Sequence, residues 1–170
     1  MKRRKILSLI AMGAVHDAFG QAVGASASFE HDVADLSELK SKARQWADQL
    51  KQKFKPDSDK LKRGLKLYVD ARAAIDRWIS SMRLALINGR SPEESLSPSI
   101  RKEATEAAQA FFKYAQDALL HPRGKLEVLI GLGTTLADAA SHAWDAYQHS
   151  EELRKKQLLD ELEGLRWSEF

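Results

Sequence analysis

Cysteine is absent from this chain of 170 residues, and its absence removes two ways of holding a fold together. Neither disulfide bonds nor thiolate metal sites are available, and cysteine usage gives no clue to the compartment. Glycine and proline are sparse, with nine and four residues, and they fall almost entirely between stretches of helical periodicity. A chain of this length has room for one domain with one apolar core.

A general excess of one charge sign is also missing. Residues 1–20 hold four basic residues and Asp17, and their net charge of +3 equals that of the whole chain. Nucleic-acid binding needs a concentrated basic patch, and the basic residues between positions 51 and 66 are interrupted by Asp57 and Asp59. We therefore expect no nucleic-acid partner.

The apolar run at the N-terminus, Ile6–Val15, has only about half of the roughly 20 residues that a membrane-spanning helix needs. Four basic residues precede it, and the small-residue sites Ala18-Phe19-Gly20 and Ala25-Ser26-Ala27 follow it, which is the order of a secretory signal. The other interpretations are an uncleaved helix buried in the core, or a helix that brings residues 1–23 into contact with a membrane. In the membrane interpretation the lipid-facing side chains are Ile6, Leu7, Leu9, Ile10, Met12 and Val15.

The longest helical pattern, residues 58–88, carries two apolar stripes that together cover about half of its circumference. Such a helix must contact at least two neighbours, because a surface helix needs only one stripe. Trp78 and Ile79 lie on the two stripes and are predicted at the bundle centre. Arg72 falls inside the apolar arc, and Asp76 one turn later is predicted to pair with it.

Three further segments combine an apolar seam with polar opposite faces. They lie near residues 30–55, 98–120 and 125–148. With residues 58–88 they predict an all-α fold, an antiparallel helical bundle of four main helices over residues 28–148. An apolar N-terminal segment, residues 1–27, and a C-terminal helical extension, residues 149–170, complete the expected organisation.

Four potential metal ligands recur along the last predicted bundle helix. They are Asp138, His142, Asp145 and His149. Imidazole and carboxylate groups at such spacings can bind divalent metals. The apolar residues of the same helix lie on the opposite face, however, so we expect this stripe to face water and to bind no metal.

The C-terminal extension carries an apolar stripe after the polar segment 148–157. A core of four helices leaves this stripe no obvious partner, and unpartnered stripes with aromatic residues are typical of interaction sites. The sequence therefore predicts binding of a protein partner, or self-association, through Leu158, Leu162, Leu165, Trp167 and Phe170. The alternative is that the segment folds back onto the bundle.

Motifs of hydrolases, phosphate loops, dinucleotide sites and zinc helices are missing, and the patterns place no acid–base pair in an apolar cleft. We therefore expect a non-enzymatic accessory or scaffold protein without cofactors that binds a protein partner and is exported, as to a periplasm, or membrane-associated. The alternative function is a membrane-perturbing effector whose apolar N-terminal helix inserts into lipid. An uncleaved core helix at the N-terminus would instead place the protein in the cytoplasm.

Overall fold

The computed structural model describes residues 18–120 and 131–168, and within them the chain forms six helices that pack against each other. The helices are α1 (Ala18–Lys53), α2 (Asp59–Ile87), α3 (Pro92–Ser95), α4 (Pro98–Ala118), α5 (Leu132–Gln148) and α6 (Glu152–Glu163). Neither described range contains a β-strand. The predicted all-α bundle is confirmed.

Local capping residues set the ends of α2 and α4. The side chain of Ser58 accepts a hydrogen bond from the Leu61 N–H at the start of α2. Gly89, with φ of +67°, follows the end of that helix in a conformation that favours glycine. Ser97 caps α4, and Pro98 takes its first position, where a proline costs no hydrogen bond.

The described part of helix α1 already includes Ala18, well before the predicted start near residue 30. The expected boundary between residues 27 and 28 therefore falls inside a continuous helix. Residues 1–17 lie outside the described residues, so membrane contact through Ile6, Leu7, Leu9, Ile10, Met12 and Val15 stays a prediction. Among the described helices, none combines the length and apolarity that crossing a bilayer requires.

Helices α2 and α4 pack along each other in antiparallel directions. Near the start of α2, the Lys60 carbonyl oxygen accepts the Tyr114 hydroxyl from the end of α4 at 3.0 Å. Further along, Arg77 Nη1 on α2 lies 2.6 Å from Glu103 Oε2 near the start of α4. The short Ser91–Ser97 connection allows this reversal because it contains only the single turn of α3.

Helix α1 packs mainly along α5. It also contacts α4, and these two helices run in the same direction. The rings of Trp46 and Phe112 meet edge to face with centroids 5.3 Å apart, and Lys53 Nζ donates to the Ala118 carbonyl oxygen at 2.8 Å. Because both contacts advance in the same direction along the two helices, α1 runs parallel to α4 and antiparallel to α2.

The two apolar stripes of α2 are buried as predicted, with Trp78 2% and Ile79 1% exposed. Gly64 on the same helix lies against side chains of both α1 and α4. A Cβ atom on Gly64 would lie 2.8 Å from Leu50 Cδ1 of α1 and 3.3 Å from Tyr114 Cε1 of α4. A larger residue at position 64 would therefore push the helices apart, since Leu50 is itself fully buried.

The C-terminal segment, residues 152–168, folds back onto the bundle and completes its core. Four of its five predicted partner-binding side chains are buried: Leu158, Leu162, Leu165 and Trp167. Phe170 lies outside the described residues. The premise of an apolar stripe without a partner is therefore wrong, because the other helices of the same chain cover it. Binding of another protein to these residues would require the segment to leave the core.

Candidate partner-binding site

Trp167 anchors the C-terminal segment in an aromatic cluster. Its ring stacks on Tyr68 with centroids 6.0 Å apart and meets Phe112 edge to face at 6.2 Å. Tyr68 belongs to α2 and Phe112 to α4, so one tryptophan joins the segment to both helices of this antiparallel pair. Aromatic pairs of this kind add stability beyond the area they bury.

Asp76 receives the main chain of the C-terminal segment. Its Oδ1 accepts the Trp167 N–H at 2.8 Å, and its Oδ2 accepts the Ser168 hydroxyl. The predicted Arg72–Asp76 ion pair does not occur in the described part of the chain. Asp76 binds the segment instead, because the fold-back places two donors against its carboxylate.

Arg166 and Arg83 form further polar contacts between the C-terminal segment and α2. Arg166 Nη2 donates to Ser80 Oγ at 2.6 Å, and Arg83 Nε donates to the Leu159 carbonyl oxygen at 3.2 Å. Both guanidinium groups also lie within ion-pair distance of Glu163. The segment is therefore held by apolar burial and by specific hydrogen bonds, and its side chains do not form a free binding surface.

The stripe of potential metal ligands on α5, which was expected to face water, is not uniformly exposed. His142 Nδ1 lies 2.6 Å from Oδ2 of Asp32 on α1, a residue only 3% exposed. The His142 side chain is 21% exposed, so the expectation of a fully solvated stripe is wrong at this position. The reason is that Asp32 occupies an inward position of α1 between Phe29 and Leu36, both buried, and Asp32 needs a polar partner there.

The Asp32–His142 pair resembles two members of a hydrolytic triad, in which a carboxylate orients an imidazole and the imidazole activates a hydroxyl group. Among the described residues, no serine or threonine hydroxyl is hydrogen-bonded to His142. Residues 18–120 and 131–168 also contain no group of three or more metal-ligating side chains suited to an ion. The contact between the two side chains links α1 to α5, which is a structural role for the pair.

Breaking this link from either side should have unequal effects. His142→Ala leaves the buried Asp32 carboxylate without its partner, so we expect a loss of about 1–3 kcal/mol in the free energy of unfolding. Asp32→Ala should cost less, because the partly exposed His142 can turn to water. Urea denaturation of both variants and of the double variant measures the difference. A larger loss for Asp32→Ala would contradict the structural assignment.

A cavity of about 300 Å³ opens where α2, α3, α4 and α5 meet, and we call it the Trp78 cavity. Its apolar lining consists of Trp78, Pro92, Leu96, Pro98, Ile100, Leu136, Ala137 and Ala140. Trp78 and Leu136 are buried in the bundle, whereas Leu96 and Ile100 are only partly covered. The cavity thus connects the core to the surface, and its volume is that of a small binding site.

Two opposite charges also line the Trp78 cavity. Glu93 of α3 and Arg101 of α4 are both exposed. Neither side chain forms an ion pair with another described residue. Their charges are therefore available to a bound molecule, and an arginine can bind a carboxylate with two parallel hydrogen bonds.

A second groove lies between α2 and α4 but differs in its lining. Its apolar lining consists of Leu67 and four alanines, including Ala73 and Ala110, and it is more open than the Trp78 cavity. Its Arg77 and Glu103 already pair with each other. The side chains that line this groove include no aromatic ring and the groove is less enclosed, so the Trp78 cavity is the better candidate.

Sequence reasoning identified Trp78 only as a core residue and missed the cavity beside it. The prolines at positions 92 and 98 indicate where helices end and begin, but they do not indicate the space beneath the connection. For Asp32 a signal was present, because it lies three residues after Phe29 and four before Leu36, on the helical seam.

Comparison of the chain with protein-family models, curated proteins and solved structures finds no match. The functional assignment therefore rests on the geometry of the sites described above.

Proposed function

We propose that this protein is a non-enzymatic accessory protein that binds a protein partner through the Trp78 cavity. One bulky apolar side chain of the partner would enter the cavity as an anchor. The proposal is carried by the apolar cavity itself, which is lined by Trp78 and flanked by Glu93 and Arg101, two charges that form no ion pair with another described residue. An apolar anchor in a pocket with a polar rim is the arrangement that supplies most of the binding energy in protein interfaces.

The charges at the cavity specify the chemistry next to the anchor. An acidic residue of the partner would pair with Arg101, and a basic residue would pair with Glu93. Exposed charge pairs contribute mainly to association rate and orientation, while the desolvated anchor contributes affinity. The expected partner segment therefore carries a large apolar side chain between one acidic and one basic residue.

Site-specific photo-crosslinking in the source cells tests the proposal. A photoreactive amino acid replaces exposed Glu94, beside the cavity residue Glu93, or exposed Lys113, towards the other end of α4. We expect a defined protein product from position 94 and none from position 113. Ala137→Leu, which places additional carbons in the cavity, should abolish the product because it occupies the space of the anchor.

Ala110→Leu provides a matched control, since it makes the same change in the groove between α2 and α4. It should leave crosslinking from position 94 unchanged. Equal products from both photoreactive positions, or a product insensitive to Ala137→Leu, would contradict binding through the Trp78 cavity.

A further inference from the structure

The break between α5 and α6 is not set by a helix-breaking residue. The segment 148–152 contains neither proline nor glycine. His149 Nδ1 lies 2.8 Å from the Asp145 carbonyl oxygen, and the Ser150 hydroxyl donates to the Ala146 carbonyl oxygen, so both side chains bond to the preceding turn. Glu151 is extended, with φ of −71° and ψ of 164°, and its side chain does not cap α6. His149 also departs from helical geometry, with φ of −103° and ψ of 5°.

Tertiary contacts maintain this break instead. All of the fold-back contacts described above join residues 152–168 to parts of the chain that precede the break. They include the contacts of Trp167 with Tyr68 and Asp76, and a hydrogen bond from Lys40 Nζ to the Gly164 carbonyl oxygen at 3.0 Å. A change of residues 149–151 to helical backbone would join α5 and α6 into one helix and carry the segment away from its own bundle.

We propose that residues 152–168 exchange between two copies of this chain, so that each copy places its Trp167 on the other's Tyr68 and Asp76. The exchanged dimer repeats every contact of the closed monomer, because both use the same receiving surface. The differences are the helical backbone of residues 149–151 and the entropy of association, so the dimer is favoured by high protein concentration. Self-association here is independent of partner binding, since residues 152–168 do not line the Trp78 cavity.

A proline at position 152 should favour the closed monomer over the exchanged dimer. Position 152 is the first residue of α6, where proline is tolerated, and a following proline holds Glu151 in the extended conformation of the closed monomer. In a continuous helix the same proline would be internal and disruptive. Glu152→Ala is the matched control, because it removes the same exposed side chain without restricting the backbone.

All three proteins are unfolded in urea, refolded at high concentration and separated by size with light scattering. We expect wild type and Glu152→Ala to give a dimer whose subunits separate only after unfolding. For Glu152→Pro the dimerisation constant should fall by at least about a hundredfold, the effect of one proline inside a helix. A monomeric wild type after refolding, or equal dimer from Glu152→Pro and Glu152→Ala, would overturn the proposal.

Single cysteines identify which contact joins the two copies, and the natural chain has none to interfere. Asp76→Cys and Ser168→Cys variants are refolded together and oxidised. The exchange predicts a disulfide between the two different variants, because these side chains meet across the exchanged contact.

The control mixture contains Arg77→Cys and Glu103→Cys, whose contact joins α2 to α4 within each copy. It should give far less mixed disulfide. Equal yields from the two mixtures would show random collision and overturn the exchange.

Discussion

Removal of residues 153–170 is expected to unfold the bundle rather than to leave it intact. The deletion exposes the surface covered by Leu158, Leu162, Leu165 and Trp167. At about 1.5–3 kcal/mol for each buried side chain, the loss reaches about 6–12 kcal/mol. That is comparable to the whole free energy of unfolding of a typical domain, about 5–15 kcal/mol. Thermal unfolding followed by circular dichroism should show no cooperative transition for the truncated chain.

Leu153→Ala is the control for this truncation, because Leu153 is highly exposed at the start of α6. Its free energy of unfolding should stay within about 0.5 kcal/mol of wild type. A truncated protein that still unfolds cooperatively near the wild-type temperature would show that the C-terminal segment is an addition to the core and not a part of it.

Trp167→Ala is expected to reproduce a large share of this loss with one substitution. It removes the ring between Tyr68 and Phe112, so we expect a loss of about 3–5 kcal/mol in the free energy of unfolding. Urea denaturation measures the loss. Val69→Ala, at a position 46% exposed on α2, should be nearly neutral. A loss below about 1 kcal/mol for Trp167→Ala would contradict its place in the core.

The helices were predictable because the pattern of apolar and capping residues within each segment indicates which face is buried and where the helix starts. The apolar stripes of α2 follow the helical period, and Ser58 and Ser97 mark the helix starts through their side-chain chemistry. These are local signals that a single sequence displays. The start of α1 was less clear, because residues 18–29 are rich in small side chains and lack a strong seam.

The position of the C-terminal segment was not predictable by the same reasoning. Its apolar stripe shows that Leu158 and Leu162 must be covered, but the period of a stripe does not identify what covers it. Its partners include Tyr68, Asp76 and Phe112, which lie far away in sequence. Asp76 itself has a nearer candidate partner in Arg72, and only the packed fold decides between them.

The Trp78 cavity was beyond sequence analysis for a different reason. A cavity is a mismatch between the volumes of side chains and the spacing of the elements that carry them. Trp78, Leu136 and Ala140 all read as ordinary core residues. The space beside them arises from the path of the connection between α2 and α4, which no periodicity records.

The contact between Asp76 and the Trp167 N–H, 91 positions apart in the chain, also constrains the order in which the protein is made. A ribosome delivers Asp76, Tyr68 and Phe112 well before it delivers Trp167. Until then the receiving surface on α2 and α4 lacks the Trp167 ring that packs on Tyr68 and Phe112 in the folded protein. The nascent protein thus passes through a stage in which it is prone to aggregate or to attract chaperones, and its final packing step awaits the synthesis of Trp167.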